Sequence, residues 1–171
     1  MDPMVLVTYA TRRGSTEEVA QAIAEALREG GLAVEVLPLK EVRSLTNYSA
    51  VALAAALYMF RLHKDARRFI SKNRAALMKV PVTLFVPGPV HEDEKEWTGA
   101  REQLNKELTK MPWFKPVAHH VVGGKFDPAK LGFPFSWIPA MRRMPASDAR
   151  DWAKIRAMAK EFGGALHPAA R

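Results

Sequence analysis

The chain contains no cysteine. That absence removes disulfides, thiolate nucleophiles, iron–sulfur ligation and cysteine-based zinc sites together, so any redox chemistry has to be borrowed from a cofactor. No apolar run approaches the ~18 residues a membrane-spanning helix requires. Two phosphate-binding signatures are also missing: there is no G-x-x-x-x-G-K-[ST], and no G-x-G-x-x-G follows the first strand pattern. Nucleoside triphosphate and dinucleotide readings therefore lose weight. Ahead of the first strand, Asp2 and Pro3 offer no basic region, apolar core or small-residue cleavage site, which reads as a cytoplasmic protein.

What is present suits one globular domain spanning residues 1–171. A chain of 171 residues with 48% apolar residues can bury roughly 70% of the surface its unfolded form exposes. Its net charge of +8 favours anionic partners, such as a membrane surface, nucleic acid, an acidic protein or a carboxylate-bearing substrate, and charge sign alone does not choose among them. No nucleic-acid partner is expected, and homo-oligomerisation stays open.

Met4 to Ala10 (MVLVTYA) is a short, nearly continuous apolar run of the kind that is covered on both faces of a parallel sheet. Thr16 to Glu29 follows as a helix, with Val19, Ile23 and Leu27 every four residues and Gly30-Gly31 as its stop. Strands are expected at Leu32–Leu37, Val51–Leu57, Pro81–Val86 and Pro116–Val122. Helices are expected at Lys64–Met78, Glu94–Lys110 and Asp148–Phe162, the last with a stripe of Trp152, Ile155 and Ala159. Such alternation implies a doubly wound parallel α/β sheet, whose ligands bind outside the carboxyl ends of the strands. Three loops meet that condition: Thr11–Thr16, Tyr58–Lys64 and Pro87–Trp97. Residues 123–147 break the alternation, because Pro128, Pro134, Pro139 and Pro145 forbid a long helix.

The first of these loops, Thr11-Arg12-Arg13-Gly14-Ser15-Thr16, joins a strand to a helix. Backbone N–H groups, hydroxyls and the positive end of the helix dipole would together suit a phosphate. Ser15 with Glu18 three residues on is equally an ordinary capping box, which needs no ligand. His119 and His120 are neighbours on a strand and point to opposite faces, so no metal site is expected. His63 is the candidate for proton transfer near neutral pH, or is merely structural. Lys64, Arg68 and Lys72, with Arg67 beside them, would steer an anionic substrate or simply face water. In the 123–147 segment Phe126, Leu131, Phe133, Phe135, Trp137, Ile138, Met141 and Met144 are mixed with Lys125, Lys130, Arg142 and Arg143. That mixture suits peripheral membrane contact through 125–144 or admission of a quinone, and equally a loop packed on the sheet edge or used in dimerisation.

The string VTYATRRGSTEEVAQAIAEAL resembles the first strand, phosphate loop and first helix of flavodoxins, and NYSAVALAAALYM resembles their third strand and first flavin-flanking loop. The chain is closer to the flavodoxin-type bacterial, menaquinone-dependent protoporphyrinogen oxidase group. The residues behind this are Thr11-Arg12 ahead of Gly14, Met111-Pro112-Trp113 with Pro116, and a long aromatic insertion followed by Asp151-Trp152. The resemblance implies a flavodoxin-like fold of α/β/α layers, with sheet order 2-1-3-4-5 and noncovalent FMN. It places Thr11, Arg12, Arg13, Gly14, Ser15 and Thr16 at the phosphate. Tyr58, Met59, Phe60 and Arg61 would border the flavin ring, and Pro87, Gly88, Pro89 and Trp97 fall on the second ring loop. Ala54, Ala56 and Phe60 stand where such proteins usually have Gly, Pro and a small residue. The function implied is an FMN-dependent oxidoreductase passing electrons from a porphyrinogen-like substrate to a quinone. An FMN electron carrier without its own substrate, and a flavin-free domain that has kept only the fold, are the alternatives.

Overall fold

The structure, a computed structural model, describes residues 3–167. Asp2, part of the expectation about the start of the chain, lies outside them. The principal elements are β1 (Met4–Ala10), α1 (Ser15–Glu29), β2 (Ala33–Pro38), β3 (Tyr48–Ala55), β4 (Leu57–Tyr58), β5 (Arg61–Leu62), α2 (Lys64–Lys72), α3 (Arg74–Leu77), β6 (Val82–Pro87), α4 (Glu94–Thr109), β7 (Ala118–Val122), β8 (Lys125–Phe126), α5 (Pro139–Arg142), β9 (Ser147–Asp148) and α6 (Trp152–Leu166). Five strands form one parallel sheet in the order β2-β1-β3-β6-β7. Counting its strands along the chain, that is the expected 2-1-3-4-5 order.

Successive β1 residues serve opposite layers, as strand geometry requires. Val5, Val7 and Tyr9 pack with Ala50, Ala52, Ala54 and Phe85 against Val19, Ile23 and Leu27 of α1 and Ile155, Ala159 and Phe162 of α6. Leu6, Val51, Leu53, Leu84 and Val86 face Phe69, Ile70, Leu77 and Leu104 of α2, α3 and α4. Each fully buried aliphatic side chain of this kind contributes roughly 1.5–3 kcal/mol. The three α/β/α layers thus follow from strands that are apolar on both faces.

Three local expectations are corrected. The helix expected over Lys64–Met78 is broken at Asn73, whose side-chain amide donates to the Phe69 carbonyl and ends α2. Trp152 is not part of the α6 stripe. It stays exposed beneath the Arg150 guanidinium, and Phe162 and Gly163 complete the buried face instead. The capping box also fails to form: Gly14 is the N-cap of α1 and no side chain caps the helix.

Residues 123–147 leave the end of β7 and return through a short antiparallel clasp of β8 with β9. Between these strands run single helical turns and α5, with Pro139 in the first turn of that helix. The clasp requires Gly123: a Cβ there would stand 1.8 Å from the Ala149 carbonyl oxygen. We expect Gly123→Ala to lower stability by about 3 kcal/mol through this backbone clash, measured by urea denaturation. An unchanged midpoint would mean that the returning segment does not cross there.

Candidate functional site

At the carboxyl ends of β1, β3 and β6 the chain leaves a cleft of about 190 Å³. Ala10, Thr11, Arg12, Arg13, Ser15 and Thr16 line one wall, Ala56, Leu57, Tyr58 and His63 another, and Pro87, Gly88, Val90, Gly124, Lys125 and Phe126 close it. The turn that builds the first wall folds on one side chain. Thr11 Oγ1 accepts hydrogen bonds from the N–H of Gly14 at 2.8 Å and of Arg13 at 3.3 Å. Gly14 then adopts a φ of +87°, a left-handed conformation that costs glycine nothing. The chain enters α1 with the N–H groups of its first turn uncapped, and Ser15 and Thr16 of that turn line the cleft. Elsewhere His63, Asp93 and Asp151 cap α2, α4 and α6. An uncapped first turn at the carboxyl end of a parallel strand is a ready anion site.

Positive charge surrounds it. Arg12 lies over the Tyr58 ring, 4.3 Å from its centroid, and links the turn to the second wall. Arg150, its side chain almost wholly buried, donates to Glu18, to both Asp148 oxygens and, at 3.4 Å, to the Ser15 carbonyl. Glu18, which the capping box would have turned back on its own helix, therefore binds the returning segment instead. The Arg150 hydrogen bonds hold the Glu18 and Asp148 carboxyls below their ordinary range, and Lys125 adds to the effect on both.

Tyr58 and Leu57 belong to the β4–β5 hairpin, whose two turn residues, Met59 and Phe60, both have positive φ (50° and 62°). A two-residue turn of this hand normally carries Asn-Gly. Here two large side chains take the strained positions and project into solvent, 63% and 77% exposed. Behind the hairpin the buried Glu107 carboxylate of α4 accepts from the Leu62 N–H at 3.2 Å and pairs with Lys110. The opposite loop is pinned by Glu96, which accepts from the Val90 N–H at 2.6 Å and contacts His91 at 3.1 Å.

His63 sits between hairpin and helix. Its Nδ1 accepts from the Asp65 N–H at 3.2 Å and so caps α2. Its Nε2 is buried at the cleft without a partner among the described residues. Burial pushes the imidazole below the ordinary histidine range; Asp65 opposes that shift, and Arg12 and Arg67 reinforce it. Arg67 turns back to donate to the Leu62 carbonyl, and Lys64, Arg68 and Lys72 remain on the solvent face.

The nominated residues divide by place. Thr11, Arg12, Arg13, Ser15, Thr16, Tyr58, Pro87 and Gly88 share the cleft, with Gly14 shaping its turn. Phe60 and Pro89 line an adjoining groove of about 400 Å³ against α4, which meets the cleft at Leu57 and Gly88. Met59 and Arg61 are exposed on the hairpin. Trp97 lies elsewhere: its indole N–H donates to the His91 carbonyl at 3.0 Å, and its ring lines a separate groove beyond β7. That groove, about 450 Å³, is larger than the cleft but contains none of the phosphate-turn residues. The chemistry of the turn outweighs its size. Sequence reading missed Gly124 and Arg150, and it named Lys125 and Phe126 only as part of the insertion without placing them at the cleft. The Gly123-Gly124 pair at the head of the insertion was the available signal for Gly124, Lys125 and Phe126.

A family profile described as Flavodoxin domain matches residues 6–135. The chain belongs to that flavodoxin-domain family. The match ends within the insertion, before Arg150 and α6. Among curated proteins, this flavodoxin-domain chain is similar to protoporphyrinogen IX dehydrogenase [quinone] of Escherichia coli strain K12. The two are 22% identical over 168 residues, covering 92% of this chain and 93% of that protein. Oxidised flavodoxin 1 from Bacillus cereus shares the fold with a TM-score of 0.60 at 17% identity, over 96% of this chain and 99% of the other. NAD(P)H:quinone oxidoreductase from Methanothermobacter marburgensis does so with a TM-score of 0.58 at 12% identity, over 98% and 100%. At these identities the likeness to solved structures carries the fold alone. Among the described residues there is no cluster that could hold a metal ion, and no helix is long and apolar enough to cross a membrane.

The Arg150 pairing should show in the pH dependence of stability. With both carboxylate partners half exposed, we expect Arg150→Met to cost about 2 kcal/mol at pH 7. Glu18 and Asp148 have depressed folded-state pKa values, so the stability they add is present above the ordinary carboxylate range and is lost as pH falls through those values. Denaturant midpoints should therefore converge for the two proteins as pH drops below about 4. A constant gap would contradict the pairing.

Proposed function

We propose that this protein is an FMN-dependent oxidoreductase that passes electrons from a reduced, porphyrinogen-like organic substrate to a quinone. The observation that carries the reading is the uncapped first turn of α1, opening on a cleft at the carboxyl ends of the sheet. Family membership supports a flavin in that place, and the name of the Escherichia coli relative supports the substrate class.

The residues present fit such a group. Where a Cβ would stand on Gly14 there is no heavy atom within 4 Å, so the turn leaves room for close approach. The buried, unpartnered Nε2 of His63 is a second polar group that wants a ligand. When bound, FMN supplies the hydride and single-electron chemistry. The chain binds and orients it. The N–H groups of Ser15 and Thr16, with the hydroxyls of the turn, would hold the phosphate, while Arg12, Arg13 and Lys125 would supply positive charge. Tyr58, Met59, Phe60 and Arg61, with Pro87, Gly88 and Pro89, would border the ring. Trp97, committed to the His91 carbonyl, is left out.

The insertion supplies what a plain carrier lacks. Lys125 at the cleft, with the exposed Lys130, Arg142 and Arg143 elsewhere in the insertion, adds positive charge that favours an anionic substrate. The exposed Phe133, Trp137, Ile138 and Met144 suit contact with an anionic membrane surface from which a quinone is drawn. Phe135 brings this segment to the cleft, its ring 6.2 Å from that of Tyr58. Membership of the flavodoxin-domain family also accommodates a second reading, an FMN carrier without its own substrate.

The visible spectrum of the purified protein tests the cofactor first. We expect a flavin spectrum, or its appearance on titration with FMN; the absence of both would end both redox readings. With FMN bound, protoporphyrinogen-driven menaquinone reduction is expected; no turnover with either substrate would favour the carrier. Arg12→Ala combined with Thr16→Ala should weaken FMN binding by tenfold or more, about 1.4 kcal/mol, and unchanged affinity would reject the phosphate assignment.

A further inference from the structure

His63 occupies an unusual position among the groups at the cleft. It is 8% exposed, and its two ring nitrogens have separate surroundings. Nδ1 faces the first turn of α2 and accepts the Asp65 N–H at 3.2 Å. A nitrogen that accepts a hydrogen bond carries no proton, so in the neutral ring the proton is on Nε2. The resulting Nε2–H is buried, belongs to a residue that lines the cleft, and meets no acceptor among the described residues. A buried donor left unsatisfied is destabilising. The backbone tightens the arrangement from both sides. The His63 N–H donates to the Ala56 carbonyl at 3.0 Å, and its own carbonyl accepts from the Arg67 N–H at 3.1 Å. The ring is therefore anchored by the loop it follows and the helix it caps, with one donor left over.

We propose that His63 is a fixed hydrogen-bond donor of the cleft, its Nε2–H held for an oxygen acceptor on the bound cofactor, and that it is not a proton-transfer base. This rests on the FMN reading for the identity of the ligand, though not for the tautomer. A base would need an unprotonated nitrogen facing the cleft, and the only unprotonated nitrogen of His63 is spent on Asp65. Protonation at Nδ1 would set two N–H groups against each other and release the cap, so the neutral, single-donor state is the one the fold favours. Burial and the nearby Arg12 and Arg67 act in the same direction. The acceptor is an oxygen of the phosphate, or a carbonyl or hydroxyl oxygen of the flavin and its ribityl chain. Both present the same chemistry to the donor.

Long-range proton–nitrogen spectra of the ¹⁵N-labelled protein at neutral pH test this directly, with His63→Gln used to assign the signals. Without ligand, His63 should be the Nε2–H tautomer. Inorganic phosphate, riboflavin and FMN are then added separately. A downfield move of the Nε2 proton with phosphate and FMN identifies the phosphate as acceptor, and a move with riboflavin and FMN identifies the ring or ribityl end. An Nδ1–H tautomer, or an Nε2 proton that none of the three probes moves, would overturn the proposal. His63→Phe should weaken FMN binding about tenfold, while His63→Gln, which keeps a side-chain N–H donor, should recover most of the loss. Equal affinities for the Phe variant and the parent would count against the donor role. If FMN does not bind but phosphate moves the Nε2 proton, the flavin reading falls and the donor stands. If FMN binds and the proton stays still, the reverse holds.

Discussion

The cleft depends on a single side-chain contact, the acceptance of two backbone N–H groups by Thr11 Oγ1. That contact closes the turn after β1, places Gly14 in the left-handed region and delivers the chain into α1 with no side chain over its first turn. Forgoing a cap costs a helix about 1 kcal/mol. An anion bound at the same N–H groups offsets that cost and adds the favourable interaction with the helix dipole. Had Ser15 capped the helix, as its spacing to Glu18 allows, those groups would be satisfied and the site lost. One residue of displacement in the helix start separates a structural turn from a binding turn.

The released Glu18 is put to another use. It joins Asp148 around Arg150, which ties the start of α1 to the segment returning from the insertion. The Gly123-Gly124 crossing fixes the other end of that insertion and carries Lys125 and Phe126 into the cleft wall. The phosphate turn and the insertion are therefore mechanically joined. A segment that looks like an addition to the fold supplies part of the wall of its candidate site. The hairpin tip makes a comparable trade: Met59 and Phe60 accept positive φ and exposure beside the cleft, and Glu107 braces the strand behind them. Strain of this sort gathers at functional sites because the surrounding structure can hold it.

The sheet was legible because its signal is local and repeated. Val5 to Tyr9, Val51 to Ala55 and Val82 to Val86 are apolar except for the buried Thr8 and Thr83, the pattern of strands covered on both faces. The turn at residues 11–16 was legible as a strand-to-helix turn for the same reason, since all its parts lie within six residues. Single-residue decisions were less visible. Asn73 breaks a helix whose apolar spacing runs straight through it, because its amide competes for the Phe69 carbonyl. Trp152 fits a helical stripe by spacing yet lies under Arg150, a contact set by the path of the insertion. Lys125, Phe126 and Arg150 reach the site only through the β8–β9 clasp, and no periodicity encodes a pairing between two-residue strands. Trp97 was taken with the second loop, although the helix expected from Glu94 already contained it; its indole is turned to the His91 carbonyl and away from the cleft, a side-chain direction that loop bounds do not encode.

The central claim is that the open first turn of α1 binds the phosphate of the cofactor. Backbone amide spectra of the labelled protein during titration with FMN test it most directly. The account expects the amides of Ser15, Thr16 and Glu17 to show the largest downfield shifts, as N–H groups do when they gain an anionic acceptor. Unmoved signals at those three residues, with the changes gathered around Trp97 and Met158 in the larger groove beside β7, would contradict it.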